Sequence, residues 1–306
     1  MATTGDFETF YSEKLLPQLE KLVRKSNRSL EWGIAVIFSI LISIACLVMG
    51  VKGAAFIFVI SAIFSVIFYL KNKNDFVRRF KETIINVIIN FLNPGAKFKP
   101  TEMIDSSEYE KSGLFPKMYN SYWGEDLVEG VYKEVKYYCS ELDTTKMSDG
   151  PRPYSERIFR GLFFAAEIKN INCSIYVWPE DDVQLPITIA DYHFERFLPL
   201  PDIAPVEMYN TEFENYFTVY SNSGSMARTI ISPEMMKRMV LFKNQIERVV
   251  RFSFVDGICY VAIAVSDNLL EPSLEDPKSE EKIKEYFFSI LLILSIINQL
   301  DLRSLK

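Results

Sequence analysis

Histidine is almost missing from this chain: His193, in "ADYHFERF", is the single one in 306 residues. A lone imidazole excludes a multi-histidine metal centre and leaves any Ser/His/Asp arrangement dependent on that one ring, so it reads as a structural or surface residue. The four cysteines, Cys46, Cys139, Cys173 and Cys259, form no CxxC or comparable ligand pair. Cys46 lies in an apolar stretch, and the other three read as small buried residues of strands. No GxSxG elbow, P-loop or dinucleotide GxGxxG is present, so no cofactor and no metal is implied. "SNSGSMAR" (221–228) reads as a turn between strands. Basic charge is also scarce. The chain has 34 Lys/Arg against 40 Asp/Glu, of which 8 and 5 fall in residues 1–73, leaving −9 for residues 74–306. An acidic main domain argues against nucleic acid as a partner.

Charge of either sign is nearly absent from residues 33–70, where Lys52 is the single charged residue. The runs at about 33–51 and 53–70 each approach the roughly 20 helical residues needed to cross about 30 Å of hydrocarbon, whereas one helix over both would rise about 57 Å. Two crossings are therefore expected, joined at Gly50, Lys52 and Gly53, where glycine supplies turn-capable backbone and the lysine stays at the polar interface. Trp32 and Tyr69 fall at the other, common end, as interface anchors do. Lys21, Arg24, Lys25 and Arg28 precede the first span, and Lys71, Lys73, Arg78, Arg79 and Lys81 follow the second. By the positive-inside rule both termini are expected in the cytoplasm, with the chain multi-pass in a cell inner membrane. Some 30 charged and amphipathic residues before the first span argue against a cleaved signal peptide. Ser39/Ser43 and Ser61/Ser65 place small residues four apart, a pattern that suits helix association.

Residues 6–30 repeat apolar positions at helical spacing around Pro17 and predict an amphipathic helix interrupted there. Asp75 is a candidate N-cap for a further helix ending at Asn93-Pro94-Gly95. From about 125 to 265 the composition turns β-rich, with strands predicted at 130–142, 157–168, 173–178, 216–221 and 248–254. Asp256-Gly257 predicts a two-residue hairpin turn, and the alternation of Arg251 and Ser253 with Val250, Phe252 and Phe254 predicts one buried face. Ser232-Pro233 opens a helix, and a last helix over about 279–302 is expected to lie across the sheet. Strand runs mixed with separate helices predict an α+β fold: a cytoplasmic amphipathic helix (1–32), a transmembrane hairpin (33–70) and a cytoplasmic domain (71–306) with a mostly antiparallel sheet.

Two acidic clusters are candidates for chemistry. Glu125 and Asp126 stand ahead of a predicted strand, and Asp181 and Asp182 follow one in "WPEDD"; both suit turns and caps better than catalysis. "GEDLVEGVYKEVKYYCSEL", "FRGLFFAAE", "EFENYFTVYS", "AR", "SPEMM" and "LLEP", with their order and spacing, resemble a bacterial membrane-anchored family catalogued as domain of unknown function 3137. That resemblance implies architecture and membrane location and carries no catalytic residue. The expected function is an inner-membrane-anchored scaffold, sensor or adaptor, leaning away from an enzyme, whose partners are the bilayer and a protein, a small ligand or a second copy. The alternative is a membrane-associated metal-dependent hydrolase or transferase using those four acidic residues.

Overall fold

The computed structural model describes residues 4–26, 28–115, 119–147, 155–180, 203–274 and 276–306. The chain divides into two compact units, one of residues 1–88 and 270–287, the other of residues 89–269 and 288–306.

In the first unit, helix α1 (Thr4–Phe10) passes through a π-turn (Tyr11–Leu15) into α2 (Leu16–Ser26). The predicted interruption therefore takes the form of a widened turn just before Pro17, whose ring has no N–H and crowds the carbonyl four residues back. Phe7, Phe10, Leu15 and Leu19 form its buried stripe. Phe7 packs edge-on against Phe287 at 5.2 Å, and the Tyr11 hydroxyl donates to the Lys278 carbonyl at 3.0 Å, so this helix docks on the 270–287 segment.

Helix α3 (Arg28–Val48) and helix α4 (Lys52–Phe80) form the hairpin. Gly50, at φ +76°, ends α3: its N–H bonds the Leu47 carbonyl at 3.1 Å and the Val51 N–H bonds the Cys46 carbonyl at 2.9 Å. This is the paired closure of a Schellman motif, in which glycine takes the left-handed position at no steric cost. Only Gly50 turns the chain. Lys52 opens α4 and Gly53 lies within its first turn. At the other end Trp32 stacks on Phe68 at 4.8 Å, and Tyr69 lies over Gly33. Ser39 and Ser61 approach at 3.3 Å, and the Ser43 hydroxyl donates to the Ala55 carbonyl at 3.1 Å. Ser39, Ser43 and Ser65 are buried, so these small polar residues close the hairpin on itself.

The expected break after residue 70 is absent. From Lys52 the helical path continues through a π-turn (Lys81–Ile85) and α5 (Asn86–Leu92). Asp75 does not cap a helix; it accepts from Arg78 one turn on at 3.2 Å. No proline or glycine stands between Leu70 and Leu92, so nothing in the backbone forces an end. Lys81, in the π-turn, is buried and faces Glu271 at 3.6 Å.

The second unit is built on one sheet, α+β as predicted. Among the described residues it has nine strands: β1 (Lys97–Lys99), β2 (Ser121–Tyr132), β3 (Val135–Met147), β4 (Ser155–Glu167), β5 (Ile175–Pro179), β6 (Ala204–Val206), β7 (Phe217–Ser221), β8 (Val250–Val255) and β9 (Ile258–Ala264). Their order is β1-β2-β3-β4-β9-β8-β5-β7-β6, with every pairing antiparallel. The edge strands have three residues each and carry Lys97, Lys99 and Pro205, features that blunt further pairing.

The segment predicted as one strand over 130–142 is a hairpin, with Lys133 and Glu134 at φ +49° and +69° between paired Tyr132 and Val135. Two positive φ values are the geometry of a type I′ turn, here made without the Asn-Gly or Asp-Gly that signals it. Asp256-Gly257, at +49° and +76°, forms the predicted turn between β8 and β9.

Both faces of the sheet are covered. One packs helix α9 (Pro233–Ile246), capped by Ser232 accepting from the Met235 N–H; Phe242 meets Phe252 at 6.2 Å. The latter part of α10 (Glu280–Gln299) belongs to this unit, and Gln299 bonds Gln245 at 2.7 Å. The earlier part of α10 belongs to the first unit, so it is not solely a helix across the sheet.

The other face is aromatic, with Tyr109, Phe159, Phe163, Trp178 and Tyr260 in its core, and is covered by α6 (Ser106–Lys111) and the residues after it. Here the one-face expectation for β8 fails. Ser253 donates to the Ser112 carbonyl at 2.6 Å and Arg251 to the Leu114 carbonyl at 3.0 Å, so both polar residues are buried with partners. The remaining short helices are α7 (Thr211–Glu214) and α8 (Gly224–Ile230). The latter occupies much of the stretch predicted as a simple turn.

Candidate functional site

Strand order creates a site that local pattern does not reveal. In the sheet β9 lies between β4 and β8 and is antiparallel to both, so β4 and β8 run the same way. Each has, at or just before its start, two arginines three residues apart around two apolar residues: Arg157-Ile158-Phe159-Arg160 and Arg248-Val249-Val250-Arg251. The parallel relation brings both pairs to one end of the sheet. The last residues of β9 lie between them, tied by Val265 N–H to the Arg160 carbonyl at 3.0 Å and by Ala264 N–H to the Val249 carbonyl at 2.9 Å.

Ala262 and Ala264 occupy alternate positions of β9, so they share one face, while Val261 and Ile263 fill the other. Two alanines leave that face hollow. The resulting cleft of about 480 Å³ is lined by the four arginines, by Phe115, Ile158, Phe159, Val249, Ala262, Ala264 and Val265, and by Ser266. Gly161 permits the closeness of β4 to β9: a Cβ there, at φ +150°, would stand 2.1 Å from the Ile263 carbonyl oxygen. A bulge between Thr144 and Thr145 shifts the register where Arg157 begins, as bulges do when they re-aim side chains at a strand end.

The arginines differ in how they are held. Arg251 is buried, with its guanidinium 4.5 Å over the Phe115 ring and donating to the Leu114 carbonyl. Arg160 reaches Asn268 at 2.8 Å and Asp143 at 3.6 Å, and Arg157 meets Asp143 at 3.3 Å. Arg248 is exposed. Asp143 thus faces Arg157 and Arg160, and among the described residues no acidic residue lines the cleft. The chemistry available is recognition of anionic oxygen by guanidinium forks beside an apolar wall.

A second polar group secures the cover of the aromatic face. Glu108 accepts from Tyr138 and Tyr260, each at 2.9 Å, and from Lys111 at 2.8 Å. Burial works to raise its pKa, but the Lys111 ammonium and the hydroxyls of Tyr260 and Tyr138 outweigh it and hold the carboxyl below its usual value. Burial and the nearby Glu110 push Tyr119 up to about 12.

Of the acidic candidates, one pair lies among the described residues. Glu125 and Asp126 lie inside β2, at a register shift, rather than ahead of a strand. Asp126 takes φ +62°, which lets its N–H bond the Pro100 carbonyl at 3.2 Å. Asp181, Asp182 and His193 lie outside the described residues. Of the cysteines, Cys139 and Cys259 are buried in strands and Cys173 is buried just before one; burial raises all three thiol pKa values. Sequence reasoning missed the arginine site, although the repeated Arg-apolar-apolar-Arg pattern at two strand starts was visible.

Residues 157–302 match the family model described as "Protein of unknown function (DUF3137)", the family that the sequence resembles. No curated protein matches the chain. A solved structure, the crystal structure of the mycobacterial trehalose monomycolate transport factor A, is similar at 13% identity, over 70% of this chain and 96% of that one, with a TM-score of 0.35.

Proposed function

We propose that the chain is a membrane-tethered binding protein, not itself an enzyme, whose sheet unit takes a small anionic ligand at the cytoplasmic face of a bacterial inner membrane. The observation that carries this reading is the cleft in which four arginines border a hollow of alanine and apolar side chains. Its volume is in the range of small-ligand sites, which are mostly apolar with a few placed polar groups. The tether is supported by two helices long and apolar enough to cross a membrane. Phe38, Phe64 and Val48 are exposed on them, and aliphatic and aromatic residues of that size suit contact with lipid.

Calorimetric titration of the full chain in detergent with a panel of small anions tests the binding role. Saturable binding that weakens with salt is expected; a folded chain that saturates with none of them would sink the reading. Orientation is tested separately in a cysteine-free background. A membrane-impermeant maleimide should label Lys52→Cys in intact cells and Lys133→Cys only after lysis. The reverse pattern would overturn the cytoplasmic placement.

A further inference from the structure

We infer that the base of the hairpin holds one anionic phospholipid, its acyl chain along a groove between α3 and α4 and its phosphate on Lys73; this rests on the tether reading and adds a ligand to it. The groove has a volume of about 350 Å³, and its walls include Val36, Ile40 and Ile44 of α3 and Val59, Ile63 and Val66 of α4. From Val59 to Ile67 it follows the axis for about 12 Å, at 1.5 Å per residue. Val59, Val66 and Lys73 succeed one another at intervals of seven residues, about two turns, so they stand on one stripe of α4. The lysine therefore lies in line with the groove.

Depth and charge select the headgroup. Lys73 comes three residues, about 4.5 Å, after Leu70, where the apolar run ends, and the headgroup layer extends about 5–7 Å beyond the hydrocarbon on each side. Helical side chains lean toward the N-terminus of their helix, and α4 starts at the far tip of the hairpin, so the half-buried Lys73 leans back toward the lipid. Among the described residues Lys73 has no ion pair, and Asp75, two residues on, is engaged by Arg78 at 3.2 Å. A phospholipid of net negative charge sets an anionic oxygen at that depth, directly above its own acyl chain.

The lining argues against a helix of a second copy. Close helix packing in lipid uses small residues, and Ser39, Ser43 and Ser65 are already buried in the hairpin. Ile40, Ile44, Ile63 and Ile67 stand exposed along the groove; their branched side chains hold a second backbone away, whereas a flexible acyl chain can follow them. A symmetric second copy would also bring its own Lys73 to the same depth, like charge against like.

The test places the full chain in phosphatidylcholine nanodiscs and reads, by electron spin resonance, the immobilised fraction of acyl-labelled phosphatidylglycerol or phosphatidylcholine. The labelled phosphatidylglycerol should associate about fivefold more strongly, the equivalent of about 1 kcal/mol for one lysine at a lipid surface. Lys73→Gln should abolish most of that preference. Lys71→Gln removes the same charge from another side of α4 and should change the preference by less than about twofold. Lys71 is exposed and Lys73 half-buried, so both variants should fold. Equal losses in the two would assign the effect to the general surface field and overturn the site. Ala62→Phe, which fills the groove, should lower the immobilised fraction of both lipids while the thermal midpoint of the sheet unit stays in place; unchanged immobilisation would overturn the groove assignment. Insertion with no preference between the two lipids would overturn the inference and leave the tether standing, whereas a chain that elutes apart from the discs would remove both. A disulfide between two chains carrying Ile63→Cys in one disc, in a cysteine-free background, would give the groove to a second copy and overturn the lipid assignment.

Discussion

Phe38 in the hairpin is 60% exposed, whereas Phe252 in the sheet is wholly enclosed. The same contrast runs through both regions. Val48 and Phe64 lie open along α3 and α4, and polar side chains such as Ser39 and Ser43 turn inward; in the sheet unit Trp178 and Phe254 are buried, and the charged Arg248 and Arg157 line the cleft from exposed positions. The sheet follows the rule for a chain in water, where burial of apolar surface supplies the stability. The hairpin has the opposite pattern, one that suits lipid, where apolar side chains need no shelter and backbone polar groups are satisfied within the helix.

Five substitutions put this contrast to measurement. Phe252→Ala should cost about 3–5 kcal/mol in denaturant unfolding of the sheet unit. Phe38→Ala, an identical truncation, should leave that transition within about 0.5 kcal/mol. Equal effects would break the comparison. Gly161→Ala should cost about 1–3 kcal/mol, because strand β4 must move away from the Ile263 carbonyl to admit the methyl group.

Glu108→Ala should cost about 1–3 kcal/mol by leaving the hydroxyls of Tyr138 and Tyr260 without their acceptor. The folded pKa of Glu108 lies below its unfolded value of about 4.3. Its stabilisation is therefore present in full above that value and is lost as pH falls through the folded one. The variant should consequently show a flatter acid limb below about pH 4. Ser43→Ala should have a small effect, about 0.6 kcal/mol on hairpin association in micelles, in line with interhelical hydrogen bonds in lipid.

Legibility followed how local each signal was. The hairpin tip could be read because Gly50 alone can take the left-handed position that closes α3. The start of α9 was equally plain in Ser232-Pro233, and the β8–β9 turn in Asp256-Gly257. The β2–β3 turn was hidden because Lys133 and Glu134 adopt positive φ without the residues that usually do so, and a 13-residue apolar alternation continues across it. Asp75 looked like a cap because short polar side chains often are, yet a helix with no breaker around that residue simply continues. The burial of Arg251 and Ser253 depended on residues 112–114, more than 130 positions away, whose carbonyls accept from them. The cleft was hidden for the same reason: both arginine pairs are local, but their meeting depends on β9 being inserted between β4 and β8.

The way β9 ends has one more consequence, for how such a site can change over generations. Val261, Ala262 and Ile263 belong to the buried interior, while Ala264, at the end of the strand, borders the hollow without joining that interior. Drift at Ala264 can therefore alter the size of the ligand admitted while the interior stays the same. A lineage of such proteins could exchange one ligand for another through one codon, without passing through an unfolded ancestor.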